Sequence, residues 1–277
     1  MVDINNILLL AQKELRDASR NRWFILYAVA FAILSLALSS LGVSGAGLSG
    51  LAGFGRTGAS LINLVILVVP MMGLTVGALS LAGERERGSL LYLLAQPVTA
   101  FEILSGKFLG LGLALLAALT AGFGLSGLLI AYQGGVAEAG TYLALVFLAF
   151  LLALASLSLG FLISALVKKS AAAVGVALFL WLALTFFGDL GLMGTAMVMK
   201  LQVGTLFGLA LANPLQIFKI SAVLQISDSL EILGPAGIYA LRTYGEGLLP
   251  LLVGILFIWI ALPGVITNWV FGRRGGL

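Results

Sequence analysis

Residues 61–107 read LINLVILVVPMMGLTVGALSLAGERERGSLLYLLAQPVTAFEILSGK. The opening run, Leu61 to Ala82, has no charged residue. It is long enough to cross the hydrocarbon core, since a helix needs about twenty apolar residues for about 30 Å. Four consecutive charges follow at once: Glu84, Arg85, Glu86 and Arg87. An apolar helix that ends in a charge cluster is a membrane span delivering the chain to water.

Outward from that stretch the same pattern recurs at Trp23–Leu41, Phe108–Tyr132, Tyr142–Val167, Ala171–Gly188 and Leu248–Phe271. The reading is an all-α polytopic membrane protein with six transmembrane helices in a single transmembrane domain over 1–277. Composition agrees: 61% of the residues are hydrophobic and 9% charged, against about one-quarter charged in soluble domains. Cysteine and histidine are both absent, which excludes disulfides, thiolate nucleophiles and imidazole bases, and with them the usual zinc and copper ligands. Neither catalytic residues nor a metal site are expected.

With six spans, Lys13, Arg16, Arg20, Arg22, Arg85, Arg87, Lys107, Lys168, Lys169, Arg273 and Arg274 share the side of the termini, and only Arg56, Lys200, Lys219 and Arg242 fall opposite. The positive-inside rule makes that first side cytoplasmic, in the inner membrane of the cell. The net charge of +4 therefore reports topology; no basic stripe with interleaved aromatics points to nucleic acid. The segment Gly191–Ala212 is apolar apart from Lys200 and Gln202. A full crossing there would place Arg273 and Arg274 outside, so a broken or re-entrant hairpin is expected.

Small residues crowd the spans, with Gly73 and Gly77, and Gly106 and Gly110, at GxxxG spacing; close helix packing is the expected use. GAGLSG at 45–50 matches the dinucleotide fingerprint in letters, yet no strand precedes it, and it reads as a linker. Met193, Met197 and Met199 could in principle hold Cu(I) but read as apolar filler. Asp189 with Lys200 would be the pair for an intramembrane enzyme, but without a second carboxylate they read as an interfacial acid and a snorkelling lysine.

Three segments outside the spans carry the candidate mechanism. Residues 1–22 form an interfacial helix with Ile4, Ile7, Leu8, Ala11, Leu15 and Ala18 on one face, and Trp23 marks the entry to the bilayer. Residues 83–100 hold a short amphipathic helix in which charges give way to Leu90, Leu91, Leu93 and Leu94, and Pro97 ends it; Thr99 and Glu102 then stand as a capping box. Residues 189–247 form an external helical segment between spans five and six. Asn213 is a suitable N-cap there, with Pro214 at the first helical position. Ile217 and Phe218 are expected to offer apolar contact to an external partner or to lipid headgroups, while Lys219 and Gln225 stay wet.

AQKELRDASRNRWF near the N-terminus, GERERGSLLYLLAQPVTAFEILSGKFLG, and ANPLQIFKISAVLQ together resemble the type-2 ABC transporter permeases. The last block is similar to their NosY-like branch, which serves copper-site maturation of nitrous-oxide reductase. The resemblance implies that 84–96 is a coupling helix seating in a separate ATPase subunit, with Glu84, Arg85, Glu86, Arg87, Gly88, Leu91 and Pro97 at the contact and Lys168 and Lys169 in a second cytoplasmic loop. It also implies a homodimer, an accessory protein outside the membrane docking at Asn213, Pro214, Ile217 and Phe218, and no cofactor on this chain. ATP and magnesium would sit in the partner, since SGK at 105–107 has Phe101 and Phe108 where a phosphate loop needs Gly and Ser or Thr. A generic exporter of a drug, lipid or ion is the alternative function.

Overall fold

The computed structural model describes residues 3–44, 50–134, 139–198, 202–226 and 234–273. Residues 45–49, the Asp189–Lys200 pair, and the methionines at 193, 197 and 199 lie outside the described residues or side chains. The described chain is helical: α1 (Ile4–Ala18), α2 (Arg22–Ser44), α3 (Gly50–Glu86), α4 (Ser89–Leu94), α5 (Ala100–Gly134), α6 (Ala139–Leu166), α7 (Ser170–Val198), α8 (Val203–Leu211), α9 (Pro214–Ile226), α10 (Gly234–Tyr244) and α11 (Leu248–Arg273).

Six of these elements are long and apolar enough to cross a membrane among the described residues: α2, α3, α5, α6, α7 and the helix ending at Arg273. They coincide with the six runs read from the sequence but are longer. Apolarity marks where a span meets lipid, whereas the helix itself continues until its backbone is stopped. In α3 that stop comes after Glu86, where Gly88 takes a left-handed φ of 74°, a conformation that costs glycine little. The α8–α9 pair bends by 109° at Ala212–Asn213. The expected hairpin is thus an α8–α9 bend placed at the end of 191–212, with α7 running on to Val198.

The core is the pair α3 and α6, the two most buried spans. A Cβ on Gly77 would lie 2.6 Å from the Leu157 carbonyl, and one on Gly160 would lie 2.6 Å from the Leu74 carbonyl. The two backbones meet with no side chain between them, which is the use expected of the 73/77 spacing. Farther along, Ser35, Ser126 and Tyr142 form a hydrogen-bonded row at 2.9 and 2.8 Å. The Phe31, Phe123 and Tyr142 rings stack edge-on beside it, joining α2, α5 and α6.

A groove of about 460 Å³ runs between the start of α5 (Phe101, Leu104) and the end of α11 (Thr267, Asn268). The C-terminal end of α11 therefore lies at the same end of the molecule as α1 and α4, here called the basal end.

Candidate functional site

Four elements converge at the basal end. α1 lies along α5, seated on the second glycine pair: a Cβ at Gly106 would meet the Ile7 carbonyl at 2.9 Å, and one at Gly110 would meet Glu14 Cβ at 2.7 Å. The buried face of α1 is Leu10, Ala11, Glu14 and Ala18, while Ile4, Leu8 and Leu9 stay exposed. The apolar face expected as a unit is thus split. Leu10 packs on Gly106 and Ala11 on Gly110 of α5, where the glycines let the backbones come close, while Ile4 and Leu8 are left outward.

Lys107, between the two glycines, is fully buried. Its Nζ stands 2.6 Å from Glu14 Oε1 on α1 and 2.8 Å from Glu84 Oε1 on α3. Half-exposed Lys13 closes the group at 3.3 and 3.1 Å to the same two oxygens. Burial alone would lower the Lys13 pKa, but the Glu14 and Glu84 carboxylates outweigh it and hold the ammonium above its usual value. Truncating one member of such a buried group costs about 3–5 kcal/mol, because it strands a charge in a medium that solvates it poorly. Glu84 also borders a cavity of about 940 Å³ between α1, α2, α3 and α7, along with Asp17, Thr75 and Arg87.

Glu84 is therefore not a free acid at an ATPase contact, as the sequence suggests; it is taken up inside the chain. The last residues of α3 are also engaged. Arg85 Nη1 donates to the Ser164 and Val167 carbonyls at 3.3 and 3.1 Å, covering the open end of α6. Glu86 accepts the Ser170 amide at 3.0 Å and the Ser170 hydroxyl, capping the start of α7. Arg87 Nε donates back to the Gly83 carbonyl. Lys168 and Lys169 sit exposed in the turn thus gripped between α6 and α7.

The separate helix is shorter than the 84–96 expected: only Ser89–Leu94 lies beyond the Gly88 turn. The reason is that Glu84–Glu86 complete the last turn of α3. Leu90 anchors α4 at 1% exposure, and Leu91 and Tyr92 project outward at 59% and 80%. Gln96 and Pro97 continue that exposed surface. The capping box is present: Thr99 Oγ1 accepts the Glu102 amide at 3.2 Å and Glu102 Oε2 accepts the Thr99 amide at 2.7 Å.

At the opposite end Asn213 Oδ1 accepts the Leu215 amide at 2.9 Å, and its Nδ2 donates to the Leu184 carbonyl at 2.7 Å. The expected cap with Pro214 at the first position is thus formed. Ile217 and Phe218, however, are 0% exposed, which corrects their assignment as a docking surface. α9 folds inward from the bend, and this chain's own helices cover both side chains. Lys219 and Gln225 are half-buried. The outward groups here are Tyr239, Arg242 and Tyr244 of α10, the two tyrosines packed on Phe207.

These features, a gripped basal end beneath six spans, accompany a sequence match. The model of the ABC-2 family transporter protein covers residues 8–275. The chain belongs to that family. It is 30% identical over 281 residues to a protein named probable ABC transporter permease protein NosY from Stutzerimonas stutzeri, covering 98% of this chain and 99% of that one. It is 33% identical over 217 residues to the protein of the same name from Pseudomonas aeruginosa, covering 76% and 79%. This ABC-2 permease is accordingly the membrane subunit of an ABC transporter, NosY-like and multi-pass.

Two parts of the site escape a sequence reading. Tyr92 reads as one more residue of an apolar run until the fold shows which side of α4 is covered. The partnership of Glu14, Glu84 and Lys107 joins three separate helices, with Glu14 and Lys107 93 positions apart. A signal for it does exist: Lys107 lies between two glycines at the head of a long apolar run, where an ammonium needs a partner.

Proposed function

We propose that this permease couples ATP hydrolysis in a separate subunit to export, or to a shape change passed across the membrane, with the basal end in the cytoplasm and the protein in the inner membrane. The observation that carries the reading is the tip of α4. Leu91 and Tyr92 project from a helix whose other side is locked by Leu90, a compact apolar and aromatic contact of the kind that anchors interfaces. Lys168 and Lys169, exposed in the α6–α7 turn held by the end of α3, supply basic charge at the same end. The contact is thus α4 with Gln96 and Pro97, while Glu84, Arg85 and Glu86 act from behind it. Leu91→Ser combined with Tyr92→Ala should abolish co-purification of the ATPase subunit while the permease still inserts; full retention overturns the assignment.

The working unit is two copies of this permease with two ATPase subunits, which hold the ATP and magnesium; a single permease copy in the native mass of an active complex would refute it. The resemblance of ANPLQIFKISAVLQ to the NosY-like branch, whose name both relatives carry, favours a role in copper-site maturation of nitrous-oxide reductase. Under that reading α10, with Tyr239, Arg242 and Tyr244, is the surface for an accessory protein outside the membrane. Deleting the gene should then leave nitrous-oxide reductase without its full copper content, and an unchanged copper content removes this role.

A further inference from the structure

Lys107 joins three separate parts of the chain at one atom. Its Nζ reaches Glu14 of α1 at 2.6 Å and Glu84 of α3 at 2.8 Å, and it is itself part of α5. On the far side of Glu84, its backbone carbonyl accepts the hydroxyl of Ser89, the first residue of α4, at 3.2 Å. A continuous path therefore runs from α4 through Ser89, Glu84, Lys107 and Glu14 into α1. Gly106 and Gly110 hold the α1 backbone against α5 on either side of Lys107, so α1 cannot slide along α5 without breaking the ion group.

Stability does not account for the arrangement. A buried ion group of this kind is commonly matched or bettered by apolar side chains of similar volume. What charges do and apolar side chains do not is fix one register, since a displacement of α1 or α3 strands a carboxylate.

We propose that Lys107 is a positioning residue that makes α1, the α3–α4 junction and the start of α5 move as one body when the ATPase displaces α4. This rests on the coupling function proposed above. Removing the ion group leaves α4 movable while α1 no longer follows.

The chain has no cysteine, so pairs of introduced cysteines can be spin-labelled directly in the full complex. Ala95→Cys reports α4, Arg16→Cys reports α1, and Leu128→Cys on α5 gives the reference at the other end. In the parent protein, nucleotide should shift the 95–128 and 16–128 distances together and leave 16–95 unchanged. In the neutral combination Glu14→Gln, Lys107→Met and Glu84→Gln, which leaves no lone buried charge, the 95–128 shift should persist and the 16–128 shift should be lost. Lys107→Met alone should lose it as well. If α1 still follows α4 in the neutral combination, or stays still in the parent while α4 moves, the inference is overturned and the coupling function stands. If α4 itself does not move with nucleotide in the parent, the coupling function fails and the inference with it.

Discussion

Glu102 ties the beginning of α1 to the beginning of α5: its Oε1 accepts the Asp3 amide at 2.6 Å while its Oε2 accepts the amide of Thr99. One carboxylate thus closes its own helix and anchors another 99 positions away. Thr99→Ala should cost about 0.5–2 kcal/mol, the usual loss on removing a cap, and leave α1 in place. Glu102→Ala should in addition raise amide exchange over Asn5–Leu9. Equal exchange in the two variants would show that the Asp3 contact holds nothing.

Lys107→Met should lower thermal stability in detergent by the equivalent of about 3–5 kcal/mol, because Glu14 and Glu84 then share only the half-exposed Lys13 as counter-charge. The neutral combination Glu14→Gln, Lys107→Met and Glu84→Gln should recover most of that loss. A Lys107→Met protein as stable as the parent would mean that water already reaches the group.

The six spans were legible because a helix in hydrocarbon must be apolar for about twenty residues, a constraint written locally in the chain. The Thr99–Glu102 box and the Asn213–Pro214 cap were legible for the same reason, their partners lying within three residues. Glu84 was not, since its fate depends on Lys107 and Lys13, and a charged residue near a span end looks solvated until the fold encloses it. Ile217 and Phe218 failed in the opposite direction. An isolated amphipathic-looking segment does not say whether lipid, a partner or its own chain covers it, and here the 109° bend between α8 and α9 turns α9 inward.

The α3–α6 crossing makes glycine chemistry position-specific. Gly77→Ala places a methyl group 2.6 Å from the Leu157 carbonyl and should cost about 1–3 kcal/mol through overpacking. Gly124→Ala is the same change where no atom lies within 4 Å, and it should be neutral or favourable by about 0.5–1 kcal/mol, the usual helical preference for alanine. Midpoints of detergent thermal melts would separate them; a tolerated Gly77→Ala would show that the two helices can part.

Arg85 and Glu86 grip opposite ends of one turn, and that grip yields the last prediction. Arg85 covers the closing carbonyls of α6, Glu86 caps the opening amide of α7, and the three residues between those helices, Val167, Lys168 and Lys169, include the two exposed lysines. A protease needs several residues of extended backbone, so a turn held at both ends is a poor substrate even when its lysines are exposed. Glu86→Gln keeps the shape but weakens the cap on the Ser170 amide, and Arg85→Met leaves the α6 carbonyls to water. Each variant should raise trypsin cleavage after Lys168 and Lys169, and the pair together should raise it further. The side of attack tests orientation in the same experiment. Cleavage in inverted vesicles but not in intact spheroplasts places the basal end in the cytoplasm, and the reverse pattern would overturn the proposed topology. Unchanged cleavage in both variants, with the lysines reachable, would mean that the turn is held by its own backbone and that α3 does not control it.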